Sequence, residues 1–269
     1  MSSHPHTNLF TQVDRTKDPD FFVRFMDEAQ KPSAIQASKR VMLERIALAP
    51  GEAILDVGCG PGTDLFDMVE LVGPTGRLVG LDASEVMIAE ARRRAEELHL
   101  AIGFEVGDVQ ALPFPDGTFD VCRAARLLEH LPDAGRVLTE MVRVTRPGGR
   151  IVAFDFDWDT LIIDHPDKET TRTFILSYSD SIGNGWIGRQ LPRLFKEQHL
   201  HVLSLDPVQV FMHYVLAELA FGSHLALLQT NGVLSAAKAR EWWGYLQHAD
   251  EHGTLLISFT AFVVVGAKR

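Results

Sequence analysis

Asp56, Gly58, Gly60 and Gly62 stand at alternate positions in the run Asp56-Val57-Gly58-Cys59-Gly60-Pro61-Gly62. A short apolar stretch, Ala53-Ile54-Leu55, leads into them, and a helix is expected from about Thr63. Glycine carries no side chain and accepts positive φ, so such a backbone bends tightly and approaches a ligand closely. The helix start beyond it offers unpaired amides and the positive end of a dipole. Together these make a ligand cradle at the carboxyl end of a first strand, where open α/β sheets bind ligands. A glycine-rich turn without a ligand is the plainer reading. The next strand, Arg77 to Asp82, ends in a carboxylate 24 residues beyond Gly58. That is near the spacing of an acid that grips ribose hydroxyls. A carboxylate accepts from both hydroxyls of a vicinal diol. The alternative for Asp82 is an acid that favours a helix dipole. Ser84 already suits the N-cap of the following helix, which favours the ribose role.

The loop departs from the dinucleotide fingerprint G-x-G-x-x-G. It reads D-x-G-x-G-x-G and holds no Lys or Arg. It resembles motif I of the class I S-adenosylmethionine (SAM) methyltransferases. Residues 103–114 resemble the end of that family's third strand and residues 117–122 its fourth. Residues 127–133 resemble the segment after it, and residues 146–152 the turn into the fifth strand. The set is most similar to the ubiquinone/menaquinone-biosynthesis-like small-molecule branch, of the actinobacterial natural-product type. Beyond residue 200 the resemblance is weak. It implies SAM as cofactor, with Asp56, Gly58, Gly60 and Gly62 along its amino-acid part and ribose. It implies Asp82 on the ribose, Asp108 on the adenine amino group, and Ala83, Met87 and Val109 as further cofactor positions. Arg126 would sit near the methionine end; its plain role is a salt bridge.

Methyl transfer from a sulfonium is an in-line displacement that consumes charge. Position and orientation supply up to ~7–11 kcal/mol in small-molecule systems. A general base adds ~10²–10⁴-fold when the nucleophile must lose a proton. His130, past the fourth strand, and Asp157, at the end of the fifth, are the candidate catalytic residues. His130 titrates near neutrality; its other role is to orient its loop. Asp155, Asp157 and Trp158 are expected to face the cleft. Asp157 serves as a base or ammonium holder, or caps a helix. Trp158 stacks on a cation or ring, or is core. Arg189 pairs with a substrate carboxylate or phosphate, or with a structural acid. Phe22, Trp158, Arg189, Tyr214 and Trp242 make up the candidate substrate pocket, although aromatics at helical spacing also serve as core. The cleft segments show no paired acid and base, so proximity is the expected main mechanism. The histidines read as scattered, and no metal site is expected. The acceptor is read as an apolar or aromatic small molecule methylated on O or N, with C less favoured. Alternatives stay open: a non-methylating reaction such as cyclisation on the same scaffold, a nicotinamide oxidoreductase that the loop disfavours, and a SAM-binding partner protein without turnover.

These groups need a sheet to carry them. The expected fold is α/β, a Rossmann-like seven-stranded, mostly parallel sheet with an antiparallel last strand, plus a helical cap. Residues 1–20 read as a loose arm and residues 20–48 as two helices, so 1–50 form the arm and cap helices. Residues 51–269 form the SAM-binding domain that the resemblance implies. Leu65, Met68, Val69 and Val72 mark its first core helix, and Met87, Ile88, Ala91, Ala95 and Leu98 the second. Residues 201–211 and 255–265 read as the last two strands, with a helical insertion at about 213–250. The insertion and the N-terminal helices form a lid over the acceptor, or else dimer packing or plain elaboration; a homodimer stays open. With 269 residues and 46% hydrophobic content, the chain can bury a sizeable core. A net charge of −10 argues against a nucleic-acid face. Cys59 and Cys122 are expected to stay reduced. No apolar window reaches the length of a membrane span, and the N-terminus has no signal-peptide pattern, so a cytoplasmic protein is expected.

Overall fold

Seven strands form one sheet in the order β3-β2-β1-β4-β5-β7-β6. The computed structural model describes residues 6–31 and 33–269. The strands are β1 (Ala53–Val57), β2 (Arg77–Asp82), β3 (Ile102–Val106), β4 (Phe119–Ala125), β5 (Thr145–Ile163), β6 (His201–Phe211) and β7 (Ile257–Ala267). β7 runs antiparallel to both β5 and β6, and the other pairs are parallel. The central strands are near-continuous apolar runs because both faces are covered. Strand alternation sorts their side chains. Ile54 and Val121 pack on one face with α2 (Ser33–Ile46), α3 (Thr63–Phe66), α4 (Val69–Val72) and α5 (Glu85–Glu97). Leu55, Val57, Cys122 and Ala124 pack on the other with α6 (Ala134–Val144) and α8 (Ile187–Glu197). Sequence patterning therefore places the expected sheet and both layers.

The same alternation puts Asp56 and Arg123 on the α2/α3 face, where they are register partners across β1 and β4. The expected first core helix is broken into α3 and α4 by residues 67 and 68. The cap comprises α1 (Asp20–Gln30), α7 (Lys168–Ser181), α9 (Tyr214–Thr230) and α10 (Ala236–Glu251). Helices α9 and α10 lie between β6 and β7, and α9 packs on α1 and α7.

The expected loose arm differs from what is found. Residues His6–Arg15 form a 3₁₀ segment with Val13 buried in a cluster with Phe22 and Met87. Asp14 Oδ1 accepts from Ser84 Oγ at 2.5 Å, and Asp14 Oδ2 from Glu85 N at 2.8 Å. An acid at the N-terminus of α5 satisfies free amides and favours the dipole, which ties the segment down. Residues 1–5 of the expected arm lie outside the described residues. Among the described residues, no helix is long and apolar enough to cross a membrane, and both cysteines are free and buried.

Candidate active site

Three glycines shape the turn between β1 and α3. Gly58, Gly60 and Gly62 have φ of +70°, +53° and +77°. A Cβ on Gly58 would lie 2.6 Å from Leu127, and one on Gly62 2.8 Å from Phe104. Conformation and space both exclude side chains there. At Gly60 a Cβ would meet only Met26 Cε, at 3.8 Å, so bare backbone remains beneath α1. Asp82 organises this loop from the end of β2. Its carboxylate accepts from Gly60 N and from Ser84 N, each at 2.9 Å. Burial raises its pKa, and each oxygen keeps capacity for another donor. Asp108 is exposed, with one oxygen accepting from Gln110 N at 2.8 Å. Met87 and Val109 are buried and Ala83 is exposed.

A small open recess adjoins the loop, lined by Met26, Gln30, Asp56, Thr63, Asp64 and Arg126 among others. Thr63 Oγ1 is buried there without a hydrogen-bond partner among the described residues. Arg126 holds a φ of +55°, fixed by its N–H donating to Phe154 O at 2.7 Å. Walls that carry both carboxylates and a guanidinium suit a zwitterion, the ammonium and carboxylate of an amino acid.

Behind the recess lies a buried charge network. Arg123, with a fully buried side chain, donates to Asp64 Oδ2 at 2.6 Å and faces Asp56 Oδ2 at 3.4 Å. Lys39 pairs with Asp64 Oδ1 at 2.6 Å and donates to Gln30 Oε1 at 2.5 Å. Burial pushes Asp56 up to about 7 against the pull of Arg123. Burial also pushes Asp64 upward, but Arg123, Lys39 and Arg126 outweigh it and hold that carboxyl well below the usual range. The network joins α1 and α2 to the helix that follows the glycine loop.

A second polar cluster forms where β4 and β5 end. His130 Nε2 lies 3.6 Å from Glu129 Oε1, and His130 Nδ1 is buried without a hydrogen-bond partner among the described residues. Phe10 stacks on the His130 ring with centroids 4.9 Å apart. Burial pushes His130 down to about 4, and Arg126 adds to that. Trp158 Nε1 donates to Glu129 Oε2. Asp155 Oδ2 accepts from Leu128 N at 2.9 Å, while its Oδ1 has no hydrogen-bond partner among the described residues. Burial raises both carboxyls, and the charge of Glu129 raises Asp155 further. Negative charge is costly at both positions, because neither carboxyl has a tightly paired cation.

Several expected pocket residues are placed elsewhere. Asp157 points to the α8 face, not the cleft. It accepts from Arg189 Nε at 2.5 Å and from Arg189 Nη2 at 2.6 Å. Alternation along β5 is the reason, because Asp157 and Trp158 must face opposite sides. Arg189 is thereby committed to Asp157 and stacks on Trp186 at 4.6 Å. Trp242 is buried in the cap interior, donating Nε1–H to Thr171 Oγ1 at 2.9 Å. Its ring lies 5.0 Å from Phe174. Tyr214 pairs with Trp243 at 5.5 Å. Phe22 does sit beside Met87, in an aromatic cluster with Phe10 and Phe21.

Sequence reasoning overlooked Lys39, Arg123, Glu129 and Asp14. Arg123 carries a legible signal, an arginine between the apolar pairs Val121-Cys122 and Ala124-Ala125, where a buried charge demands partners. The histidines are also not all scattered. His248-x-x-x-His252 has helical i,i+4 spacing.

Residues 48–198 match the methyltransferase domain family. The chain is a class I SAM-dependent methyltransferase. It is 38% identical to an uncharacterised 37.1 kDa protein in transposon TN4556 of Streptomyces fradiae, across 98% of this chain and 76% of that protein. It is 36% identical to a demethylmenaquinone methyltransferase of Lactococcus lactis, across 59% of this chain and 66% of that enzyme. Among solved structures, the [4+2]-cyclase SpnF shares the fold with a TM-score of 0.63 at 17% identity, over 100% of this chain and 98% of its own. SAM is the cofactor of this methyltransferase. The bare Gly60 backbone, Asp82, and the mixed-charge recess fit it.

Proposed function

We propose that this methyltransferase transfers the SAM methyl group to a hydroxyl, or less readily an amine, of an apolar or aromatic small molecule in secondary metabolism. One observation carries the reading. His130, half-buried beneath Phe10, keeps a buried Nδ1 without a partner among the described residues and turns Nε2 toward Glu129. A base oriented by a carboxylate is the arrangement that deprotonates a hydroxyl.

In this reading Gly58, Gly60 and Gly62 hold the cofactor's ribose and amino-acid parts, and Asp82 accepts from the ribose hydroxyls. Asp108 accepts from the adenine amino group with its second oxygen. Arg126 pairs with the amino-acid carboxylate, and Asp56 with Asp64 faces the ammonium. When bound, SAM supplies a methyl group on a sulfonium. Phe10, Phe22 and Phe25 exclude water over the acceptor side, and α9 with the N-terminal helices closes the lid. His130 Nδ1 takes the acceptor proton. Glu129, 3.6 Å from Nε2, favours a proton on that nitrogen by its charge. Trp158 in turn holds Glu129. Asp157 and Arg189 brace α8 against the sheet and take no part in proton transfer.

The test is incubation with SAM bearing a CD₃ methyl and a panel of phenols, aliphatic alcohols and amines. The expected product is a phenol or alcohol carrying one CD₃ group, with an equal amount of S-adenosylhomocysteine formed. The rival reading is cyclisation without methyl transfer, the reaction named for the structurally similar SpnF. An unlabelled product of unchanged mass would favour it. A C-methylated product would overturn the assignment of the acceptor atom to O or N.

A further inference from the structure

The last turn of α10 and its C-cap carry His248, Glu251 and His252 at positions i, i+3 and i+4. Helical spacing sets such side chains on one face. The two imidazole centroids lie 4.0 Å apart. One donor atom from each of the three residues lies within 4.8 Å of the others, and all three residues are exposed. A second feature prepares the site. His252 Nδ1 lies 2.8 Å from the carbonyl oxygen of His248. An N–H donated there fixes the tautomer and leaves the Nε2 lone pair free. A backbone carbonyl behind the imidazole is the outer contact that orients histidine toward a metal.

The donor chemistry selects the ion. Two imidazoles and one carboxylate suit Zn²⁺ and its borderline neighbours, whereas Mg²⁺ and Ca²⁺ favour all-oxygen sites. Free carbonyls at the end of a helix favour a cation, as does the net charge of −10. We propose that His248, Glu251 and His252 form a three-ligand site for a Zn²⁺-class cation on the cap. The ion cross-links the last turn of α10 to its C-cap. Water completes the coordination, as at other three-ligand sites. The site stabilises the cap and takes no part in cofactor binding.

Calorimetric titration of the full chain with ZnCl₂, and separately with MgCl₂, tests this. Wild type should bind Zn²⁺ and not Mg²⁺, and Zn²⁺ should raise its melting temperature. His252→Ala and His248→Ala should each weaken Zn²⁺ binding by ~10-fold or more, at least the scale set by outer-contact losses, and Glu251→Gln should weaken it also. Replacing His4 and His6 together by Ala should leave this binding intact. S-adenosylhomocysteine affinity should be equal in all variants, which also shows that each is folded. Absence of Zn²⁺ binding to wild type, undiminished binding in both His248→Ala and His252→Ala, or loss confined to the His4/His6 variant would each overturn the proposal.

Discussion

Arg123→Met is expected to lower the free energy of unfolding by ~3–5 kcal/mol, the scale for removing one partner of a buried ion pair. Arg123 is fully buried and touches both Asp56 and Asp64. Without it the two buried carboxyls keep Lys39 and the longer-range charge of Arg126. The cost is desolvated negative charge, so its pH dependence has a defined sign. In the variant both carboxyls rise above their unfolded values. Their neutral forms are tolerated at low pH, and stability is lost as pH rises. The deficit relative to wild type should therefore be larger at pH 8 than at pH 5. Adding Asp64→Asn to Arg123→Met should recover part of it. Urea unfolding at the two pH values measures both effects. An equal deficit at both would point to lost packing instead of charge.

His130→Asn should reduce kcat by ~10²–10⁴-fold with a hydroxyl acceptor, the usual worth of a general base, while S-adenosylhomocysteine affinity stays unchanged. Burial depresses His130 from 6.5 to about 4. A depressed base is fully unprotonated above the ordinary histidine range. The acid limb of kcat/KM should lie near 4, not near 6.5, and disappear in the variant. The same depression costs stability as pH falls from 6.5 toward 4, because only the unfolded chain takes up the proton there. Glu129→Gln should lower kcat less and move the limb, since it acts through His130. Asp157→Asn should leave the limb in place. An unchanged kcat in His130→Asn would leave proximity as the mechanism.

The layout of the sheet was legible because its signals are local. Apolar runs marked the central strands, and the bounds of β6 match those read from the sequence. The glycine loop and Asp82 were legible for the same reason, since positive φ and a strand-end acid are written in the residues themselves. What failed depended on faces and distant partners. Asp157 and Trp158 read alike as strand-end residues, yet alternation sends one to Arg189 and the other to Glu129. Trp242 has the spacing of a lining residue, and only its bond to Thr171, 71 positions away, reveals core. Asp14 meets Ser84 across 70 positions. Glu129 and His130 stand side by side in the sequence, but only the fold brings Asp155 to them.

The assignment of the glycine loop and Asp82 to the cofactor is tested most directly by calorimetry of S-adenosylhomocysteine on wild type and Asp82→Ala, with the fold of each checked by circular dichroism. Asp82 would lose both its ribose contacts and its hold on Gly60 N and Ser84 N. Charged hydrogen bonds of this kind contribute ~1.5–3 kcal/mol, so affinity should fall by ~10- to 150-fold. Equal affinity in a folded Asp82→Ala protein would contradict the account.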